Sequence, residues 1–359
     1  MNSVELDENG KQGMGHNMKR HHFSVACYYL MVLVIVVLSS GCAHKPLALW
    51  NDQAPAKKAL VDYVRTVTAR NSPDYIPVEN RIAVFDFDGT LFLETAPTYF
   101  DWQLFEHRVL EDPGYKATDE QLAAACASRG GKFPKLDKDR ERMVAEAYCG
   151  MTLGEFDAFI RQFMSENQPG FVGLKRGDAY YRPMLEVIDY LRRNGFTVYV
   201  ISGTDRLTMR PLTAVLRLPL TQIIGSDGTV VASGQNGKDG LEYVFDRGDK
   251  LLLGGTNLVK NLQMNKVSII VREIGLQPVL AFGNTMSDAS MLNYAINGNQ
   301  YKALGFMLLC DDLSREYGNT EKAEQMLVNC QKYGWVPVSM RDDWKTIYGE
   351  GVVKKSLVK

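Results

Sequence analysis

Two carboxylates one residue apart close an apolar run in AVFDFDGT (83–90). They are Asp86 and Asp88, followed by Gly89 and Thr90. A carboxylate can attack phosphorus and form an acyl phosphate. A second one beside it can give a proton to the leaving alkoxide. Attack on a phosphate dianion needs charge compensation, and a hard cation such as Mg²⁺ supplies it while bound by one or two carboxylates and the substrate's own oxygens. A hydroxyl, backbone N–H groups and an ammonium would hold the remaining phosphoryl oxygens. The chain carries these groups in order: Ser202 and Gly203 at the end of TVYVIS, Lys266 at the head of NKVSIIVREIG, and Asn284 and Asp288 after PVLAFG. Lys250 and Lys260 also precede the last run, but Lys266 opens a helix that leads straight into it.

These residues need strand ends to bring them together. RIAVFDFD (81–88) reads as a strand apolar almost throughout, as a central parallel strand is, and the period of two puts Asp86 and Asp88 on one face. TVYVIS (197–202), LTQIIG (220–225), PVLAFG (278–283) and GFMLLC (305–310) read as further strands. Helical patterns alternate with them. In PMLEVIDYLRRNGF, Met184, Val187, Ile188 and Leu191 share a face, and Gly195 marks the stop. TVVAS and EYVFD flank GQNGKDG and predict a hairpin. This alternation predicts an α/β fold with a doubly wound parallel sheet, whose ligands bind beyond the carboxyl ends of the strands. From 91 to 181 the chain is aromatic-rich, with helical patterns around 96–110, 119–127, 138–148 and 152–165 and no central-type strand. It reads as an inserted helical cap between core segments 43–90 and 182–359. Tyr99, Phe100, Trp102 and Phe105 read as packing residues of that cap, and KLDKDRERM as a solvated helix face.

With these residues in place, a resemblance is plain. DFDGT resembles the first motif of the haloacid dehalogenase-like hydrolase superfamily, VISGT its second, Lys266 its third and GNTMSD its fourth. WND (50–52), SPDYIP (72–77), RPMLE (182–186) and AFGNTMSDASML (281–292) extend the resemblance to exported or lipid-anchored phosphatase-like bacterial proteins, over roughly residues 49–348. The resemblance implies a Mg²⁺-dependent phosphatase acting on a phosphorylated small molecule. Asp86 would be the nucleophile and Asp88 the general acid and base. Thr90, Ser202, Gly203 and Lys266 would bind substrate, and Asp86, Asp88, Asn284 and Asp288 would hold the metal. Asn284 departs from the family pattern, which has Asp there, and removes one unit of charge from the metal seat. Two alternatives stay open: a phosphotransferase of the same fold, and a non-catalytic envelope protein that binds a phosphorylated ligand.

The N-terminus suggests where the protein works. Lys19, Arg20, His21 and His22 precede FSVACYYLMVLVIVVL, then SSGC. A basic stretch, a short apolar run and small residues form an export signal, with a start at Met18 giving the usual form. Cys42 after Ser-Ser-Gly resembles a lipoprotein acylation site, with Ser39 where a branched apolar residue usually stands. The expectation for 1–42 is a signal peptide with a lipidated Cys42, or an uncleaved anchor helix. Either attaches the protein to a membrane of the bacterial cell envelope. The net charge of -1 over 359 residues gives no basic field for nucleic acid. In an oxidising compartment, Cys126, Cys149, Cys310 and Cys330 predict two local disulfides, Cys126–Cys149 and Cys310–Cys330.

Overall fold

In the computed structural model, which describes residues 46–94, 98–135 and 137–355, the run before Asp86 forms β1 (Ile82–Phe85), buried at every position. Ala83 and Phe85 enter one hydrophobic cluster, Ile82 and Val84 another. That is the period-two division of a strand covered on both faces. Aromatic rings tie it to its neighbours: Phe85 stacks on Phe282 at 4.3 Å, and Phe282 on Phe306 at 4.8 Å.

Seven strands form the sheet in the order β5 (Leu251–Val259), β4 (Ile223–Ala232), β3 (Thr197–Asp205), β1, β6 (Leu280–Gly283), β7 (Leu304–Leu309), β8 (Val336–Ser339). All neighbours are parallel except β4 and β5. A separate ribbon pairs β2 (Phe171–Val172) with β9 (Val353–Lys354). Helices α1 (Pro55–Thr68), α6 (Arg182–Arg193), α7 (Arg206–Leu212), α8 (Met264–Ile269), α9 (Ala289–Ile296) and α10 (Thr320–Tyr333) accompany the sheet. This is the expected α/β architecture. Between β1 and α6 lie α2 (Phe100–Leu110), α3 (Asp119–Arg129), α4 (Lys138–Ala147) and α5 (Leu153–Met164). Thr118 with Gln121, and Thr152 with Glu155, form reciprocal capping boxes that start α3 and α5.

Several sequence motifs prove to be ties between chain ends. The Trp50 indole N–H donates to the Pro183 carbonyl at 3.0 Å, and its ring meets Trp344 edge-on at 5.8 Å. The Leu49 N–H donates to Glu186 at 2.8 Å. WND and RPMLE therefore fasten the segment before α1 to α6 and to the 344 region.

Two expectations need correction. The hairpin's second strand is Leu251–Val259, not EYVFD. Leu241, Val244 and Phe245 stay exposed, and Asp249 organises their loop by accepting from Tyr243, Asp246 and Gly234. A strand over EYVFD would need a partner edge, and β5 holds that edge. The two disulfides do not form: all four described cysteines are free. Cys149 lies against Gly255 of β5, the Cys310 thiol donates to the Asn319 carbonyl, and Cys330 is buried on α10 in the second cluster. Finally, α10 and β8 extend the sheet beyond the elements read from sequence. The signal or anchor at 1–42, with Cys42, lies outside the described residues. Among the described residues, no helix is long and apolar enough to cross a membrane.

Candidate active site

Register brings the ends of β1 and β6 level with Val200 inside β3, which runs on to Asp205 rather than ending at Ser202. Phe85 pairs with Val200 on β3 and with Phe282 on β6, and the Asp86 N–H donates to the Phe282 carbonyl at 2.9 Å. The strand stops at Phe85, three residues earlier than the sequence suggested. Asp86 and Asp88 converge through a turn instead: the amides of Thr90, Leu91 and Phe92 all donate to the Phe87 carbonyl. Phe87 points into the core and stacks on Phe92 at 5.0 Å, which leaves its flanking carboxylates facing the same way. Gly89 permits this turn with φ +76°, and a Cβ there would overlap the Asn284 side-chain amide at 1.8 Å.

Asp86 is tied to a buried ammonium. Lys266 in the first turn of α8 is fully buried, and its Nζ donates to Asp86 Oδ1 at 2.5 Å, Asp288 Oδ1 at 2.6 Å and the Ile201 carbonyl at 2.8 Å. Thr90 Oγ1 donates to Asp86 Oδ2 at 3.3 Å. Burial above all, and then the Asp288 charge, raise Asp86 to about 7 against the opposing pull of Lys266. Burial alone would lower the Lys266 ammonium, but Asp288 and Asp86 offset this and raise it, so it stays charged.

Asp88 sits in a different environment. Its Oδ2 accepts from Thr204 Oγ1 at 2.6 Å and from Ser202 Oγ at 3.5 Å, and the Thr204 N–H donates to Ser202 Oγ at 3.0 Å. Its Oδ1 is buried with no hydrogen-bond partner. Burial, outweighing the Thr204 hydrogen bond, raises Asp88 well above the ordinary carboxylate range, and the Asp86, Asp101 and Glu94 charges add to it. Burial pushes both carboxyls up, but only Asp86 has a cation beside it to pull it back, while Asp88 has hydroxyl partners alone. Such divergent environments separate an ionised role from a proton-donating one.

Both carboxylates line a cavity of about 240 Å³ together with Gly203, Thr204 and Asn284 from the core and Tyr99, Asp101 and Arg140 from the inserted helices. Gly203 lies against Leu262, whose Cδ2 would stand 2.5 Å from a Cβ at this position. Four of the residues expected at the site stand behind this wall. Thr90, Ser202, Lys266 and Asp288 are fully buried, and none lines the cavity. Lys266 has spent its three donors on protein acceptors. Asp288 has spent both oxygens, one on Lys266 and the other on the Asn284 and Thr285 amides at 3.0 and 3.1 Å.

Two contributors escaped the sequence reading. Thr204 holds Asp88, and a signal existed: on a strand it shares a side with Ser202. Arg140 lies in KLDKDRERM, yet with Met143 and Ala147 it forms the buried face of α4. The charge of the run concealed that i, i+3, i+7 stripe.

The family model for haloacid dehalogenase-like hydrolases matches residues 83–293. No curated protein matches the chain. Similar solved structures include a protein of unknown function from Bordetella pertussis Tohama I, at 13% identity and TM-score 0.47, covering 72% of this chain and 98% of that one. Another is a conserved functionally unknown protein from Anaerococcus prevotii DSM 20548, at 11% and 0.48, covering 82% and 94%. A third is cytosolic 5′-nucleotidase IIIB bound to cytidine, at 13% and 0.47, covering 83% and 89%. The sequence match spans more than half of the 359 residues and includes Asp86, Asp88, Ser202, Lys266 and Asn284; the chain belongs to the haloacid dehalogenase-like hydrolases.

Proposed function

We propose that the protein is a Mg²⁺-dependent phosphatase that hydrolyses a phosphomonoester through an aspartyl-phosphate on Asp86. The observation that carries this is the pair of carboxyls on one cavity wall in opposite environments, Asp86 against an ammonium and Asp88 against hydroxyls. Asp86 attacks phosphorus as the P–O bond to the leaving group breaks, and Asp88 gives that oxygen its proton. Asp88, now ionised, takes a proton from the water that attacks the aspartyl-phosphate, and phosphate and free Asp86 are released. Thr204 and Ser202 hold the Asp88 carboxyl on its far oxygen, which leaves Oδ1 for the proton. Lys266 keeps Asp86 oriented and offsets its charge between turnovers.

The donor set suits Mg²⁺. The Asp86 carboxylate, the Asp88 backbone carbonyl and the Asn284 side-chain oxygen would hold it, with water and substrate completing the shell. Among the described residues, no group of three or more His, Cys, Asp and Glu side chains forms a metal cage; a site that leaves most positions to water and phosphate does not require one. When bound, the ion supplies the positive charge that a phosphate dianion needs at an acidic cavity floor. Asp288 supports this seat by holding the Asn284 and Thr285 amides. On the strength of residues 19–42 we also propose that the protein is exported and held at the membrane of the cell envelope.

The test is hydrolysis of 4-nitrophenyl phosphate by the purified protein. Turnover should require Mg²⁺, disappear in excess EDTA and return when Mg²⁺ is restored. Undiminished turnover in EDTA contradicts the metal-dependent reading. Tight phosphate binding without turnover of any ester favours the phosphate-binding alternative.

A further inference from the structure

Arg140 is the side chain that the hydrolytic reading leaves unexplained. It reaches the catalytic cavity from α4 and is 5% exposed. A guanidinium has five N–H donors, yet among the described residues that of Arg140 donates no hydrogen bond. Its one ion-pair neighbour, Asp101 Oδ1, stands 3.7 Å from Nη2. That is outside hydrogen-bond range, and Asp101 Oδ1 is itself buried without a partner. If Arg140 served only to neutralise Asp101, a fork contact near ~2.8 Å would be expected. Two rings hold it away from that contact: the guanidinium carbon lies 4.7 Å from the Trp102 ring centroid and 5.9 Å from that of Tyr99. A charged fork thus lies against two aromatic rings and is short of protein acceptors. No Arg140 nitrogen is a fully buried unpaired atom among the described residues, so the donors open on the cavity, where an entering acceptor can meet them.

The other cations around the cavity are engaged. Lys266 is spent on Asp86, Asp288 and Ile201. Lys260 binds Glu141 at 2.9 Å, and Lys322 binds Glu94 at 2.9 Å. Among the described residues that line this cavity, Arg140 is the cation whose side chain makes no hydrogen bond. The reacting carboxylates come from the core, whereas Arg140 comes from the inserted helices, so a substrate between them would present its phosphoryl group to one and its body to the other. A planar fork matches two oxygens of a carboxylate or a phosphate better than any neutral group.

We infer that Arg140 is a specificity residue that binds a second anionic group of the substrate. The substrate class is then a small phosphomonoester bearing a carboxylate or a second phosphate. This rests on the phosphatase reading for the chemistry, while the binding role of Arg140 can be tested apart from it.

The experiment compares kcat/KM for anionic and neutral probes in matched pairs: 2-phosphoglycolate against ethyl phosphate, and 4-carboxyphenyl phosphate against phenyl phosphate. The wild type should prefer the carboxylated member of at least one pair. Arg140→Gln should lower that selectivity ratio roughly tenfold to a hundredfold, mainly through KM, as loss of a charged hydrogen-bond partner does. Arg140→Lys keeps the charge without the fork and should give an intermediate ratio. It also decides the matter if Arg140→Gln fails to fold. An unchanged ratio in the folded variants overturns the inference. So does an equal fall in kcat on both members of a pair, which would place Arg140 on the transferring phosphoryl group. If the wild type hydrolyses none of these esters, the phosphatase reading fails by itself. Calorimetric titration of 2-phosphoglycolate then tests Arg140 alone: weaker binding to Arg140→Gln supports the inference, and equal or absent binding to both proteins overturns it.

Discussion

Replacing Asp86 by Asn should reduce phosphomonoester turnover by a factor on the order of 10⁴ or more, the scale on which enzymes lose rate when a covalent nucleophile is removed. The substitution preserves shape and removes the nucleophilic oxygen pair. Asn can keep its oxygen as acceptor for Lys266 and donate through its NH2 to the Thr90 hydroxyl, which now donates to Asp86 at 3.3 Å, so the turn from 86 to 92 and the cavity should persist. The loss should therefore appear in kcat, with circular dichroism and the unfolding midpoint close to those of the wild type. Steady-state kinetics with 4-nitrophenyl phosphate checks this. A variant that retains a tenth of the rate would remove Asp86 from the nucleophile's role.

The second large effect is on stability. Lys266→Met should cost about 3–5 kcal/mol, because removing one partner strands a buried charge. The ammonium is fully buried and meets two carboxylates and a carbonyl. Methionine fills much of the volume but leaves Asp86 and Asp288 facing each other without their cation. The loss should depend on pH in a definite direction. Asp86 is already raised in the folded protein to about 7 from 3.8, and losing Lys266 raises it further. The folded state then keeps a proton that the unfolded chain has lost. Stability therefore falls as pH rises from the unfolded value through the folded one. Urea unfolding should show a larger deficit at pH 8 than at pH 5. A deficit below about 1 kcal/mol, or one independent of pH, would mean that the buried cluster does not carry the fold at this point.

The sheet and the floor of the site were legible because they depend on local, periodic signals. Apolar runs leading to Asp86 and to Gly283-Asn284 mark strand ends, and the run leading to Ser202 marks a strand that continues to Asp205; parallel register does the rest. What the sequence concealed depends on tertiary placement. EYVFD has strand composition but no free sheet edge, because Leu251–Val259 occupies the place beside β4. The four described cysteines are even in number, yet they fall on α3, against β5, after β7 and on α10, and all stay free.

The site itself shows a subtler displacement. Ser202, Lys266, Thr90 and Asp288 have the residue types that bind phosphate or metal, but each is fully buried behind the cavity wall and bound to another protein group. In the structure they hydrogen-bond Asp86, Asp88 and the Asn284 backbone. Motif spacing identifies such residues without telling which shell they occupy, since that depends on how many of their hydrogen bonds the protein itself consumes. Arg140 shows the converse. It sits in a run whose charge density suggested solvent exposure, and only the packing of α4 on Trp102 reveals a cation aimed at the substrate cavity.

The central claim is that Asp86 becomes covalently phosphorylated. Rapid acid quench of the protein during turnover, followed by borohydride reduction and peptide mass analysis, measures this directly, because the reductant converts an aspartyl-phosphate to homoserine. Homoserine is expected at position 86, requiring both substrate and Mg²⁺ and absent from Asp86→Asn. Homoserine at another aspartate, or steady turnover by an Asp86→Asn protein, would contradict it.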